Sequence, residues 1–250
     1  MATPSTTCPA CSGTGWKPVE SAGVRRVVRC ECMLEASVER RLEAARIPPR
    51  YQQCDFSNFD NPSNNVSLQA AKTFAQRFAQ EYPVQKEFGL LFMGPCGTGK
   101  THLGVAILRA LVEKGVDCLF CDFRELLKSI QSSYNPVSQT TEMEILAPVL
   151  ETEVLLLDDL GASKPSLWVL DTVAHILNTR YNEKRVTLLT TNYLDAPATR
   201  EAGSGIARED TLADRIGERI RSRLYEMCRV VPLQAEDFRR RVKQAQYHFS

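Results

Sequence analysis

The chain has 250 residues, of which 24% are charged, and a formal net charge of +1. That length allows one medium domain with a substantial core and a small appendage, and the near-neutral balance excludes a polycation that grips nucleic acid over its whole surface. No apolar run approaches the length of a membrane span, and the first residues lack the basic-then-apolar layout of a secretory leader, so a cytoplasmic protein with reduced cysteines and no membrane partner is expected.

Four of the nine cysteines fall in tight pairs, Cys8 with Cys11 and Cys30 with Cys32, separated by eighteen residues. Two thiolate pairs suit a closed tetrahedral Zn²⁺ site, which can order a segment too small to make its own core. The second pair is closer together than the usual C-x2-C. Between the pairs, Trp16, Arg25, Arg26 and Arg29 should lie on a two-stranded ribbon, a surface for bases and phosphates or for a docked protein. A helix is expected over Met33–Arg46, and Pro48 and Pro49 stop it. The boundary placed there gives a zinc-binding domain with its helix at 1–46, a linker at 47–65 carrying Phe56 and Phe59, and a nucleotide-binding domain at 66–250.

An apolar strand, Phe88 to Met93, leads into GPCGTGKT and then a helical stretch from Leu103 to Val112. Strand, glycine-rich loop and helix in this order make a phosphate-binding loop: Gly94, Pro95, Cys96, Gly97, Thr98 and Gly99 cradle the phosphates of ATP. Lys100 reaches the β- and γ-phosphates, and Thr101 holds Mg²⁺. Apolar segments at CLFC, VLLLDD, VTLLTTN and RVVPL add four strands, for a five-stranded parallel α/β sheet. Cys118 and Cys121, in the first of these, read as core thiols without partner ligands. The stretch between CLFC and VLLLDD is longer than one crossover helix needs.

The strand VLLLDD ends in two carboxylates, Asp158 to hold Mg²⁺ through water and Asp159 to orient or deprotonate the attacking water. Asn192, at the end of VTLLTTN, is placed to hydrogen-bond that water or the γ-phosphate. Arg215, Arg219, Arg221 and Arg223 crowd one short expected helix that begins near Thr211. After Val231 only a short helix fits, so no separate helical lid is expected.

Taken together, GPCGTGKTHL, LLLDDLG, the tryptophan of KPSLWVLDTV, TTN and LADRIGERIRSRLYEMC resemble the DnaC/DnaI-type helicase loaders of the AAA+ class, with IstB-type transposition ATPases as near relatives. The resemblance spans Ile47 to Val242, and the paired cysteines with GTGW resemble the zinc segment of some loaders. It implies an ATPase that works between subunits of a self-associated, ATP-dependent oligomer and loads a replicative helicase onto single-stranded DNA. By motif position, Arg223 is the arginine that reaches a neighbour's γ-phosphate, with Arg219 second, and Arg239 is a second nucleotide sensor. The inserted crossover would touch single-stranded DNA through Lys128, Ser132, Ser133 and Tyr134. The alternatives are an ATPase that regulates a transposase and a nucleotide-gated adaptor with vestigial hydrolysis.

Overall fold

The computed structural model describes residues 8–21, 24–61, 64–83, 89–195 and 210–240. Phe88 lies outside the described residues, and the strand after it, β3 (Gly89–Met93), is buried along its whole length. The strands β4 (Cys118–Asp122), β5 (Val154–Asp158), β6 (Val186–Thr191) and β7 (Arg229–Pro232) join it in one sheet of order β4-β5-β6-β3-β7. Every pairing is parallel, so helices must cover both faces.

Strand alternation divides the core. Leu90, Phe92, Leu156 and Leu188 point into one cluster, with α2 (Val66–Glu81) and α3 (Lys100–Glu113). Leu91, Met93, Leu155, Leu157 and Leu189 point into the other. That second layer contains α4 (Phe123–Ser133), α5 (Glu142–Glu151), α6 (Leu167–Asn182), α7 (Leu212–Ile216) and α8 (Glu218–Met227). Cys118 belongs to the first cluster and Cys121 packs against the second; burial pushes each thiol up to about 12.

The long crossover between β4 and β5 is filled by α4 and α5. Asp122 caps the first, and Thr141 with Glu144 forms a reciprocal capping box on the second. The arginine-rich stretch corrects the single-helix expectation: it is two helices, α7 and α8, interrupted at Gly217. After β7, residues 238–240 make one helical turn.

At the amino end, β1 (Trp16–Ser21) and β2 (Val24–Arg29) form an antiparallel ribbon followed by α1 (Glu31–Ala44), which starts two residues before the expected helix. α1 is tied to the larger body. Val38 and Leu42 pack against the first cluster, fully buried Ala45 lies within it, and the Ala45 carbonyl accepts from Phe120 N–H on β4 at 2.8 Å. The boundary at residue 46 therefore falls inside a packed region.

Candidate functional site

The glycine-rich loop leaves β3 and closes into the N-terminus of α3, with left-handed φ of 76° at Gly97 and 94° at Gly99. Space confirms what the dihedrals require. A Cβ on Gly97 would lie 1.8 Å from the Asp237 carboxylate, and one on Gly99 would lie 2.6 Å from the Phe59 ring. Two distant segments are thus pressed onto the loop.

Lys100 Nζ donates to the carbonyls of Gly94 at 2.8 Å and Pro95 at 2.7 Å, folding its charge back under the loop. Burial lowers its pKa, against the charges of Cys96, Asp159 and Asp158. Thr101 Oγ1 donates to Asp158 Oδ1 at 2.9 Å, which joins the start of α3 to the end of β5. Asp158 is buried; desolvation raises its pKa to about 6, although the hydroxyls of Thr190 and Thr101 pull the other way. Asp159 has a left-handed φ of 56°, and its Oδ1 accepts from Asn192 Nδ2 at 2.9 Å. Loop, paired acids and Asn192 therefore converge from three neighbouring strands, a donor set whose hard oxygens fit Mg²⁺ beside a triphosphate.

Cys96 to Thr101, Asp159 and Asn192 line a cavity of about 800 Å³ that also includes Arg239, whereas Asp158 is not part of that lining. Sequence reasoning missed most of its remaining wall. Tyr51, Cys54, Asn58, Phe59 and Asn61 close one side, and Ala235 to Phe238 close another. Phe238 N–H donates to the Gly97 carbonyl at 3.1 Å, and His102 Nε2 bonds the Asp55 carbonyl at 2.8 Å while its ring meets Phe59 edge-on. The only sequence signal for that wall was an aromatic, Phe59, in a polar stretch.

Arg223 and Arg219 do not line this cavity. The Arg223 guanidinium lies over the Tyr181 ring at 4.6 Å, and Arg219 is exposed on α8. The other two arginines of the crowd are engaged within the chain. Arg215 is buried and donates to the carbonyls of Gly161 at 2.8 Å and Ser163 at 2.7 Å, and Arg221 pairs with Asp195. On α4, Lys128 pairs with Glu125 at 2.7 Å, and Ser132 and Ser133 donate to carbonyls of their own helix. Tyr134 is half exposed and bonds Glu142, with Trp168 donating to its hydroxyl.

Away from the cavity, the sulfurs of Cys8, Cys11, Cys30 and Cys32 all lie within 4.8 Å of one another, and none is in a disulfide. Cys8 and Cys11 sit on a tight turn, Cys30 caps α1, and Cys32 lies in its first turn. Burial raises the Cys11 thiol, but bonds from Gly15 and the neighbouring thiols outweigh this and bring it to about 7. Such a donor set fits one tetrahedral Zn²⁺. Beside it, the exposed side chains of Trp16, Val27, Arg25 and Arg29 share one ribbon face by register. Arg26 is exposed on the opposite face.

A family model described as IstB-like ATP binding protein matches residues 31–246. Over 157 residues the chain is 26% identical to the replicative helicase loader DnaC of Buchnera aphidicola subsp. Schizaphis graminum, covering 62% of each protein. It thus spans less than two thirds of that relative's length. A crystal structure of the DnaC helicase loader matches with a TM-score of 0.62 at 30% identity, covering 74% of this chain and 99% of that one. A crystal structure of DnaI matches with a TM-score of 0.57 at 26% identity, covering 76% and 93%. Among the described residues no helix is long and apolar enough to cross a membrane.

Proposed function

The chain belongs to the IstB-like ATP-binding family, a relative of the DnaC-type AAA+ helicase loaders, and from that premise we propose that it is an ATPase that delivers a replicative helicase onto single-stranded DNA. The observation that carries the ATPase reading is the Asn192–Asp159 bond beside the phosphate loop. It holds the second carboxylate at the cavity wall, where it would serve a water attacking a γ-phosphate. Bound Mg²⁺ supplies charge to the phosphate oxygens. Lys100 releases the Gly94 and Pro95 carbonyls and turns to the β- and γ-phosphates, Thr101 would hold the metal and Asp158 would hold it through water, and Asp159 takes the proton of the water as it attacks the γ-phosphorus and the bond to the departing ADP oxygen breaks. Arg239, in the cavity wall, senses the nucleotide.

Hydrolysis takes place between copies. Arg223, which lies outside its own cavity, would complete a neighbour's site, and Arg219 beside it is the second candidate. The amino-terminal ribbon, held by Zn²⁺ on Cys8, Cys11, Cys30 and Cys32, docks the helicase through the Trp16 face, while Tyr134 and Lys128 on the crossover contact DNA. A second reading, an ATPase that serves a transposase, is favoured by the description of the matching family. The ribbon argues against it, because three of its four cysteines precede the family match.

Mixing two inactive variants tests this. Arg223→Ala should bind ATP like wild type and lose roughly a thousandfold in rate. Adding Lys100→Ala should restore part of the activity, since an intact loop on the first protomer then meets an intact arginine on the second. Normal turnover by Arg223→Ala would remove it from this role and leave Arg219 to test. Intact binding with undetectable wild-type turnover would favour an adaptor.

A further inference from the structure

Between the two acidic residues of the site lies a hydroxyl that the motif reading passes over. Thr190 is fully buried on β6, next to the end of β5. Its Oγ1 donates to Asp158 Oδ1 at 2.6 Å and accepts from the Asp159 backbone N–H at 2.9 Å. A hydroxyl has one proton to give, and here it goes to the first acid while a lone pair holds the backbone of the second. Two residues further along, Asn192 holds the Asp159 carboxylate. Threonine and asparagine thus grip Asp159 at both ends and keep it in the left-handed conformation that a side-chain-bearing residue adopts only when its surroundings hold it there.

Asp158 Oδ1 accepts from two hydroxyls, Thr101 at 2.9 Å and Thr190 at 2.6 Å. Their fates differ once nucleotide enters. Thr101 stands at the N-terminus of α3 and lines the cavity, where its oxygen would be free to hold Mg²⁺; Thr190 is fully buried on the sheet and does not line the cavity. We propose that Thr190 is a positioning residue that fixes Asp158 for Mg²⁺ and Asp159 for water activation, and that it is the hydrogen bond left on Asp158 Oδ1 when Thr101 turns away. The inference rests on the ATPase reading above.

Thr190→Val keeps the branched shape and removes both bonds. The test measures fluorescent ATP analogue binding with and without Mg²⁺, steady-state hydrolysis, and thermal melting, for wild type, Thr190→Val and Thr190→Ser. Thr190→Val should need about tenfold more Mg²⁺ for half-maximal binding, because a hydrogen bond to a charged group is lost. Its metal-free nucleotide affinity should match wild type, its kcat should fall by about tenfold or more, and Thr190→Ser should recover both. If the valine variant does not fold, Thr190→Cys, whose thiol is a much weaker donor, is read in the same way. Wild-type Mg²⁺ dependence and kcat in the valine or cysteine variant would overturn the inference while leaving the ATPase reading intact. So would a loss shared equally by metal-free binding and melting that serine does not rescue. A wild-type protein that neither binds nor hydrolyses ATP would overturn both.

Discussion

Stripping the metal from the cysteine cluster should unfold the ribbon and leave the larger body standing. The sulfurs of Cys8 and Cys30 are 3.8 Å apart and those of Cys11 and Cys32 are 3.5 Å apart; a zinc tetrahedron with bonds of about 2.3 Å places its sulfurs about 3.8 Å from one another. Very little else orders this segment, because among its described residues only Cys11, Gly15 and Cys30 are buried. Two strands of 6 residues each must be fixed, at about 1.5 kcal/mol per residue or ~18 kcal/mol in all. Structural zinc supplies about 10–16 kcal/mol, so ribbon and metal stand or fall together. α1 has separate support, since Val38, Leu42 and Ala45 pack on the α2–α3 side of the sheet. Protein purified under reducing conditions should release one zinc per chain to a colorimetric chelator, and Cys11→Ser should release almost none. After chelation, limited proteolysis should cut throughout the ribbon while the melting transition of the rest stays within a few degrees. Metal-free protein from a reducing preparation, or a ribbon that still resists protease after chelation, would refute the reasoning.

Lys100→Ala removes a charge that exchanges two carbonyl partners for phosphate oxygens; the loss should be about 3 kcal/mol, roughly a hundredfold in ATP affinity by titration calorimetry, with unchanged melting. Asp159→Asn keeps an acceptor for Asn192 and a residue type that tolerates left-handed backbone, so ATP affinity should stay within about twofold while hydrolysis falls by at least ~10²; equal loss of binding would contradict the assignment. Burial lowers the pKa of His102, opposed by its bond to Asp55. With the folded value below the unfolded one, the stability this neutral imidazole contributes is whole above about pH 6.5 and is lost as pH falls through the depressed value. Between pH 7.5 and 5, wild type should therefore lose more melting temperature than His102→Gln, and parallel curves would exclude the effect.

What the sequence displays of this fold is what depends on near neighbours along the chain. β3, its loop and α3 are contiguous, and the buried strands read as apolar runs because both sheet faces are covered. The cysteine pairs likewise announce their cluster by spacing alone. Long-range closures leave no such trace. Nothing local to Gly97 says that Asp237 will press on it, and nothing local to Ala45 says that its carbonyl will join the edge of β4. Charge crowding also misleads when a cation's partners are backbone carbonyls. Arg215 reads as part of a basic helix but is buried against Gly161 and Ser163, and Arg180 is buried outright with bonds to the carbonyls of Val149 and Thr152. Thr190 escapes notice for a related reason: a threonine in a strand is ordinary until the two acids beside it are in place.

The central claim, that ATP drives this chain to deliver a helicase, is tested most directly by loading the replicative helicase of the same genome onto circular single-stranded DNA covered by its binding protein. Unwinding of an annealed oligonucleotide reports delivery. Wild type with ATP should start unwinding that the helicase alone cannot, and Lys100→Ala should not. No delivery by wild type, together with ATP-dependent stimulation of a transposase on the same preparation, would contradict the account.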